Sequence, residues 1–572
     1  MKKKYSLSKL TALYEEVESE RSEYMSEYME ISDYLLPGRG IYQRYSKPRK
    51  RKLTSPKVIN TIAEDSLYVL TSGIHGGLTS PSRPWYKNEW SDPQIQAMDP
   101  MKAWMEDSTK RQHAGFHASN FYSVMNGFYI ELVGFGTSCM YVGEDSATVQ
   151  APFRFELLTA GEYAYSMGSD GRLDTFFRTI FMTPRQLVQM FPKTASKKCK
   201  KMVKDNESGV DTSYITIMEY VAREPYRDKP ITRLYYEVTG SGTRSSSYTP
   251  AGEEPLLVDG FYEFPYIVAR WSTIGSDIYG IGPGSRALPD IKRLQEMEKA
   301  FLMATHKNVN PPLNAPGRMR GKINSLPGGM NYYANPAETV NELYQVRFDY
   351  TGVGGAVERV EQRIQRNFFN DIFLTAARDP NATPYKATEV NAREQEKMLR
   401  LGPVIERLQH EFLQPLVERC FNIMLRKDLF APLSPELGAI AGDYTTTLVS
   451  PLATAQRAVA LQGIQGFMGF IGQAAQLDQT ILDNIDPDAA AREYADITGV
   501  EIGVLRPIEE VQALRENRAK QMAAEKQKQE QMAMAGMKSQ MNAEQATAQK
   551  AQSEAGLNML EGQQIAQDMG MM

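Results

Sequence analysis

The first part of the chain alternates apolar and polar residues with the period of a helix. Leu7, Leu10 and Leu13 recur three residues apart, and tyrosines interleave with acids as far as Pro37, which must end a helix. This pattern predicts an amphipathic helix over residues 5–36. A second helix is predicted over residues 58–72, where isoleucines and leucines again return at helical spacing.

The stretch SGIHGGLTSPSRPWYK, residues 72–87, follows the second predicted helix. Its glycines favour a C-cap and a tight turn, its prolines stiffen that turn, and its tryptophan is a candidate buried anchor. The residues of this predicted scaffold turn are Gly73, Gly76, Gly77, Pro81, Pro84 and Trp85. Glycines that hold the backbone open beside a histidine could also cradle an anion or accompany a catalytic base.

Between about residues 139 and 270 the period changes to that of strands. Segments such as TFFRTIFM, YITIMEYVA and TRLYYEVT alternate in polarity or are β-branched, and Gly, Ser and Pro separate them. This part of the chain is therefore predicted to form a half-buried sheet.

Two helices of about twenty residues are predicted next, on either side of a turn-rich segment. They cover residues 285–306 and 355–376, while residues 307–354 are rich in Gly, Pro and Asn. The pattern predicts a helical hairpin with arms of about 30 Å and a small β-containing excursion at its tip. The charged positions of the two helices are Lys292, Arg293, Glu296, Lys299, Glu358, Arg359, Glu361 and Arg363.

The last third of the chain is predicted to be helical again. After the break RDPNATPYK, residues 388–430 carry the longest helical pattern, and Pro403 and Pro415 inside it predict a kink. The tail beyond about residue 510 has high helix propensity but few large apolar anchors, so it would gain stability in a bundle with copies of itself. The whole pattern predicts an α+β chain that is mainly helical.

Composition and charge narrow the function classes. The chain has 572 residues, enough for about three or four domains, and its net charge of -4 argues against gripping nucleic acid through the overall field. A local contact with DNA remains open. Cys139, Cys199 and Cys420 lie far apart, which suggests neither a disulfide framework nor a zinc site. The N-terminus has no apolar run long enough for a signal peptide, so synthesis in a cytoplasm is expected.

Catalytic and cofactor motifs give no match. The loop YGIGPGS lacks the spacing of a dinucleotide loop, and Pro283 removes an amide that a phosphate would need, so it is interpreted as the start of a helix. GRMRGKIN departs from a phosphate-binding loop in its glycine spacing and at Ile323. His113 and His117 share a helix face, but no third ligand stands near them in the sequence, which favours packing or surface roles. Neither an enzyme nor a cofactor is predicted.

Three segments in order carry a resemblance to a known family. They are LYVLTSGIHGGLTSPSRPWYK, YGIGPGSRALPDIKRLQ and KATEVNAREQEKMLRLGPVIERLQHEFLQPLVERCFNI. Together they resemble the portal, or head-to-tail connector, proteins of short-tailed bacteriophages, over roughly residues 5–505. The resemblance implies a ring of twelve copies at one capsid vertex, through which double-stranded DNA is packaged and later ejected. It also implies that the glycine-rich stretch at residues 72–87 is scaffold rather than an anion cradle.

The resemblance also implies a division of the chain and a set of partners. The implied parts are a wing at 1–284, a stem of two helices at 285–306 and 355–376, a clip at 307–354, a tunnel loop at 377–387, a long kinked wing helix at 388–430, a crown at 431–505, and a C-terminal helical barrel or disordered tail at 506–572. The clip would dock the terminase large subunit and later the tail adaptor or tail tube protein. The major capsid protein and scaffold or internal core proteins are the other expected partners.

DNA contacts are expected at two places in such a ring. Arg378 and Lys386 are the cations of the implied tunnel loop and would face the phosphates. The stem helices carry both signs of charge, so a polyanion could slide past them without a strong local grip.

A membrane-inserting ejection protein is the alternative function. Residues 458–477, AVALQGIQGFMGFIGQAAQL, carry no charge and have a glycine at every third position over part of their length. Four glutamines in this segment argue against a lipid-facing helix.

Overall fold

The computed structural model describes most of the chain, which divides into two units, Met1–Asp486 and Pro487–Met572. The described residues are 6–40, 55–96, 98–145, 152–205, 213–240, 248–315, 323–343 without 325, 327, 333, 334, 337 and 338, then 349–373, 400–433, 435–449, 466–474, 488–491, 506 and 508–568.

Helices of the first unit form most of its main core. They are α1 (Leu7–Tyr34), α2 (Ile62–Leu78), α3 (Pro93–Gln96), α4 (Asp99–Ala118), α5 (Phe121–Phe135), α6 (Pro184–Met190), α7 (Lys197–Asp205), α8 (Pro283–Val309), α9 (Tyr350–Asn367), α10 (Asn370–Phe373), α11 (Gly402–Leu408), α12 (Gln414–Arg426) and α13 (Pro435–Ile440). A π-helical turn, Gln409–Leu413, joins α11 to α12 and ends just before Pro415. A π-helical turn thus stands beside Pro415, where the sequence predicts a kink, whereas Pro403 lies at the start of α11. Residues 388–399 of the predicted long helix lie outside the described residues.

Strands form several antiparallel sheets. They are β1 (Tyr86–Trp90), β2 (Thr137–Glu144), β3 (Phe153–Leu158), β4 (Tyr163–Met167), β5 (Leu173–Met182), β6 (Ile215–Ala222), β7 (Ile231–Gly240), β8 (Tyr248–Pro250), β9 (Leu257–Phe261), β10 (Tyr266–Arg270), β11 (Leu313–Asn314), β12 (Asn341–Glu342) and β13 (Tyr444–Leu448). The largest sheet has the order β4-β5-β6-β7-β8, with β9 also on β7, and a smaller one has the order β10-β2-β3. The strand-rich region predicted between residues 139 and 270 is confirmed, as is the mixed α and β character of the chain.

Aromatic packing around Trp85 fills part of the main core. Trp85 is fully buried and stacks on Phe121 with ring centroids 5.9 Å apart, and its indole nitrogen donates to the Tyr122 hydroxyl. The neighbouring strand β1 pairs with β13, Tyr86 opposite Leu448, so a segment that the sequence assigned to the crown packs against this core. Trp85 is thus the buried anchor that the sequence predicted.

The predicted turn at the glycines before Trp85 is wrong. Helix α2 continues from Ile62 to Leu78, so Gly73, Gly76 and Gly77 lie inside it, and Gly73 is not its C-cap. The chain turns only afterwards, at Pro81 and Ser82, and both Pro81 and Pro84 are exposed. The helix persists because Ile74 and Leu78 continue its buried face past the glycines.

In the second unit the tail is a helix. Helix α14 runs from Ile508 to Asp568, and the side chains described along it are almost all exposed. The predicted helix propensity of the tail is confirmed, while its assembly into a barrel stays a prediction. Arg515 forms an ion pair with Asp488 within this unit, with 2.6 Å between nitrogen and oxygen.

Candidate functional site

Helices α8 and α9 form the predicted hairpin. They pack against each other through buried residues that include Ile291, Leu294, Val360 and Ile364. Arg363 of α9 pairs with Asp290 of α8 at 2.7 Å. Glu361, earlier in α9, and Glu298, later in α8, accept from the same Asn60 side chain, so the two helices run in opposite directions. The hairpin is the candidate functional element, because its charged faces and its tip carry the residues for which the sequence predicts DNA and partner contacts.

Glycines at the base of the hairpin let two backbones touch. A Cβ built on Gly284, in the first turn of α8, would meet the Gly134 carbonyl oxygen at 2.3 Å, and one on Gly280 would meet the Gly136 oxygen at the same distance. Gly136 caps α5 with a φ of 79°, in the left-handed region that favours glycine. The loop YGIGPGS is therefore the start of a helix, as predicted, and it holds α8 directly against the end of α5.

A group of side-chain hydrogen bonds joins the residues just before α2 to both hairpin helices. Gln295 is buried, and its side-chain oxygen accepts from the Ile59 and Asn60 amides at 2.6 and 2.9 Å, while its amide donates to the Asn60 carbonyl. The Asn60 side-chain amide donates to Glu298 at 3.0 Å and to Glu361 at 2.8 Å. Since Glu298 lies on α8 and Glu361 on α9, one asparagine fixes the spacing of the two helices. Sequence reasoning missed Gln295 and Asn60, because a glutamine and an asparagine at such positions have no distinctive pattern.

Three of the eight predicted stem residues bind side chains on other elements of the subunit. Lys292 pairs with Glu30 of α1 at 2.5 Å, Arg363 pairs with Asp290, and Glu361 accepts from Asn60. The other five are exposed in the single chain, namely Arg293, Glu296, Lys299, Glu358 and Arg359. Three of these charges therefore brace the hairpin, although the Arg363 side chain is still 48% exposed, and the other five face solvent without such a partner on another element of the described chain.

Helix α9 is shorter than the predicted second stem helix and ends at a strained residue. Phe369 has a φ of 54°, which interrupts the helix between Asn367 and Asn370 at a cost of about 1 kcal/mol or more for a non-glycine residue. Arg400 lies 5.5 Å from the Phe369 ring centroid and pairs with Asp371, so it contacts both the break and the short helix α10 that follows it. The predicted tunnel loop at 377–387, with Arg378 and Lys386, lies outside the described residues.

The tip of the hairpin contains the predicted β structure. Strands β11 and β12 pair antiparallel, Leu313 opposite Glu342 and Asn314 opposite Asn341. Apolar side chains around them face solvent in the single chain. Their exposed fractions are 75% for Val309, 74% for Leu326, 73% for Met330, 81% for Tyr332 and 58% for Leu343.

The two histidines on α4 have separate packing roles. His113 is half-buried, its Nε2 lies 3.2 Å from the Tyr86 carbonyl oxygen, and its ring is 4.2 Å from that of Tyr86. Burial lowers the pKa of His113 to about 4. His117 instead packs beside Tyr122, with ring centroids 4.9 Å apart.

The alternative of membrane insertion depends on residues 458–477, of which 466–474 are described and are helical. Within the described parts of the chain, no helix has the length and apolar character needed to cross a bilayer.

Comparison with known proteins shows which family the chain matches. The profile of the family described as bacteriophage head to tail connecting protein matches residues 7–505. A probable portal protein of Bordetella phage BPP-1 is 31% identical over 524 residues, 91% of this chain and 92% of its own length. The portal protein of Salmonella phage epsilon15 is 31% identical over 523 residues, 89% of this chain and 90% of that protein.

Among solved structures, the neck of an empty GTA particle matches with a TM-score of 0.34 and 9% identity, over 72% of this chain and 86% of that chain. At this TM-score the structural likeness adds nothing to the family that the profile and the two portal proteins indicate.

Proposed function

The chain belongs to the family of bacteriophage head to tail connecting proteins, and from this premise we propose that it acts as the portal of a phage particle. Its place is the head-to-tail junction of the virion. Copies of the chain form a closed ring at one capsid vertex, expected to have twelve members, and double-stranded DNA passes through the ring during packaging and ejection. The role is structural, and the energy for DNA movement comes from a partner.

Exposed apolar surface on the outer half of the hairpin supports the proposal that copies of the chain form a ring. Leu302 and Met303 on α8 are 43% and 51% exposed, although they lie on a helix whose first half is buried in the core. The tip residues described above extend this surface to the end of the hairpin. Exposed apolar patches of this kind mark contacts between proteins, and a ring supplies an identical neighbour for every copy.

The lining of the channel is proposed from the charges that the hairpin leaves exposed. Arg293, Lys299 and Arg359 alternate with Glu296 and Glu358 among these residues. Each neutralised phosphate adds affinity that would slow sliding, so a mixed lining favours passage over binding. Lys292, Glu361 and Arg363 are assigned instead to bracing the hairpin, because each already has a partner within the subunit.

The remaining parts of the chain receive roles by family analogy. The tip segment at residues 307–354 is proposed to dock the terminase large subunit and then the tail adaptor or tail tube protein. Residues before the hairpin form the wing, facing the major capsid protein, and scaffold or internal core proteins contact the end inside the shell. Arg378 and Lys386 in the tunnel loop remain predicted phosphate contacts.

The C-terminal barrel is a further part of this proposal. Met534, Met537 and Met541 recur at i, i+3 and i+7 along α14, and their exposed fractions are 71%, 71% and 60%. Such a stripe favours packing between parallel copies of the helix.

Removal of the protein from assembling phage tests the function. Host cells infected with phage that lack the gene are expected to accumulate capsid shells without DNA, and supply of the protein from a plasmid is expected to restore DNA-filled heads. DNA content is measured in purified particles by density-gradient sedimentation. Particles that fill with DNA in the absence of the protein would contradict the portal role.

A further inference from the structure

A cluster of lysines lies on the wing, far along the chain from the hairpin. It consists of Lys193, Lys197, Lys198, Lys200, Lys201 and Lys204, and is called here the lysine patch. Five of the six belong to α7, and Lys193 lies in the turn that precedes it. Between residues 184 and 205 the chain carries seven cations and one acid, Asp205, although the protein as a whole is acidic with a net charge of -4.

The lysine patch faces solvent. Lys193, Lys197, Lys198, Lys201 and Lys204 are exposed, and Lys200 is half-buried. Within the described part of the chain, none of the six forms an ion pair, and the Lys200 ammonium donates only to the Lys193 carbonyl, at 3.1 Å. The positive charge of the patch is therefore not neutralised by neighbours in the described residues.

Local electrostatics oppose this arrangement. Lys197 and Lys198 stand in the first turn of α7, whose own residues include no acid, and a cation at a helix N-terminus is unfavourable by about 0.3–1 kcal/mol, an effect that the Glu237 carboxylate beneath this turn opposes. Lys197 and Lys201, like Lys200 and Lys204, are four residues apart, so like charges repel along the helix as well. An ordinary solvent-exposed helix face carries both positive and negative side chains. The uniformly positive face of α7 therefore indicates a binding role.

Buried contacts hold the patch in a fixed orientation. Cys199 is buried under α7 in a small core with Leu187, Phe191 and Tyr235, so the lysines lie on the opposite face. Glu237 on β7 accepts from the Ser196 amide at 3.2 Å, which stabilises the start of the helix from below. The carboxylate that offsets the helix dipole is thus itself buried, and the outer face stays positive.

We propose that the lysine patch binds the phosphate backbone of duplex DNA at a surface outside the hairpin, because α7 packs in a small core separate from the one that contains α8 and α9. Lysine is depleted in contacts between proteins, whereas flexible point charges suit sequence-independent contact with phosphates. Lys197 and Lys204 are separated by about 10 Å along the helix, a length over which duplex DNA carries several phosphates. The choice of DNA as the polyanion rests on the proposed function, which brings duplex DNA to this protein.

Covalently closed circular duplex DNA separates this contact from the channel, because a closed circle cannot thread a closed ring. The test compares wild-type rings with a variant that carries Lys197→Gln, Lys198→Gln, Lys201→Gln and Lys204→Gln. A control variant neutralises four exposed lysines of α14, by Lys520→Gln, Lys526→Gln, Lys528→Gln and Lys538→Gln, and so makes the same change in net charge. Affinity for a fluorescent closed circle is measured between 50 and 200 mM salt, a range over which each neutralised phosphate changes the affinity by about three- to fourfold.

The patch variant is expected to bind the circle at least tenfold more weakly than the control at the lower salt concentration. Its dependence of log affinity on log salt is expected to fall by about 0.9 for each phosphate that the variant no longer neutralises. Equal affinity and equal salt dependence in the two variants would overturn the proposal. Unchanged binding to the circle together with failure to enter capsids would assign the patch to an acidic protein instead. Electron microscopy of the same samples establishes whether rings have formed. Absence of rings would contradict the proposed function and would say nothing against the lysine patch itself.

Discussion

Glycine and histidine positions illustrate what single residues do in this fold. At the base of the hairpin, Gly284 and Gly134 let two backbones approach to a distance at which any side chain would clash. Gly76, by contrast, lies within α2 with no atom near the position of a Cβ. The sequence displays these glycines alike, and the difference between them arises from tertiary contacts between segments about 150 residues apart. Local pattern could therefore place the loop YGIGPGS at the start of a helix but could not find its partner.

Substitution of Gly284 and Gly76 is expected to have opposite effects. Gly284→Ala should destabilise the chain by about 1–3 kcal/mol, because the new methyl group meets the Gly134 carbonyl and the backbone must shift. Gly76→Ala should stabilise it by about 0.5–1 kcal/mol, since alanine is a better helix former and the space is open. Thermal unfolding of both variants measures the difference. Equal unfolding temperatures would show that the close approach at Gly284 is absent.

His113 gives the stability of the chain a pH dependence. Burial lowers its pKa from about 6.5 to about 4, so the unfolded chain binds a proton more readily than the folded chain in this range. The contribution is present above pH 6.5 and is lost as pH falls towards 4, by roughly 3 kcal/mol in all. The variant His113→Gln should lose less stability than wild type between pH 6.5 and pH 4, as measured by urea unfolding. Parallel losses in the two proteins would contradict the assignment.

At the scale of elements, the helical pattern predicted the hairpin but not the break that ends its second helix or the distant strand pairing. Helix α8 spans Pro283–Val309 where residues 285–306 were expected, and α1 spans Leu7–Tyr34 where 5–36 was expected. The second arm ends early because Phe369 adopts a left-handed conformation, which apolar spacing does not encode. The pairing of β1 with β13 joins residues about 358 positions apart, and short alternating segments carry no information about such distant partners.

Assembly should depend on the outer half of the hairpin. The double variant Leu302→Gln, Met303→Gln removes apolar surface that is exposed in the single chain, so the chain should still fold. The interface between neighbouring copies should weaken, and the assembled fraction at a fixed protein concentration is expected to fall at least tenfold. Native mass spectrometry measures that fraction. A matched control, Met190→Gln with Leu425→Gln, changes residues of similar exposure outside the hairpin and should assemble normally. Normal assembly of the hairpin variant as well would exclude this surface from the ring interface.

For the whole molecule, the family resemblance and the physical chemistry lead to the same function. Three short segments in order predicted the family that the profile match over residues 7–505 confirms. The net negative charge suits a protein that must release DNA, and an isolated lysine patch is compatible with it because that patch lies away from the hairpin sequence. The oligomeric contacts could not be predicted from the chain alone, since a surface that closes a ring has the composition of any partly apolar helix face.

Electron microscopy of the purified protein tests the portal assignment most directly. Images of frozen samples at several salt concentrations should show closed rings with a central hole wide enough for a DNA duplex, and with the hairpins of all copies around the axis. Symmetry of the ring is read from averaged top views, with twelve copies expected. Particles that remain single chains at high protein concentration, at every salt concentration, would contradict the assignment.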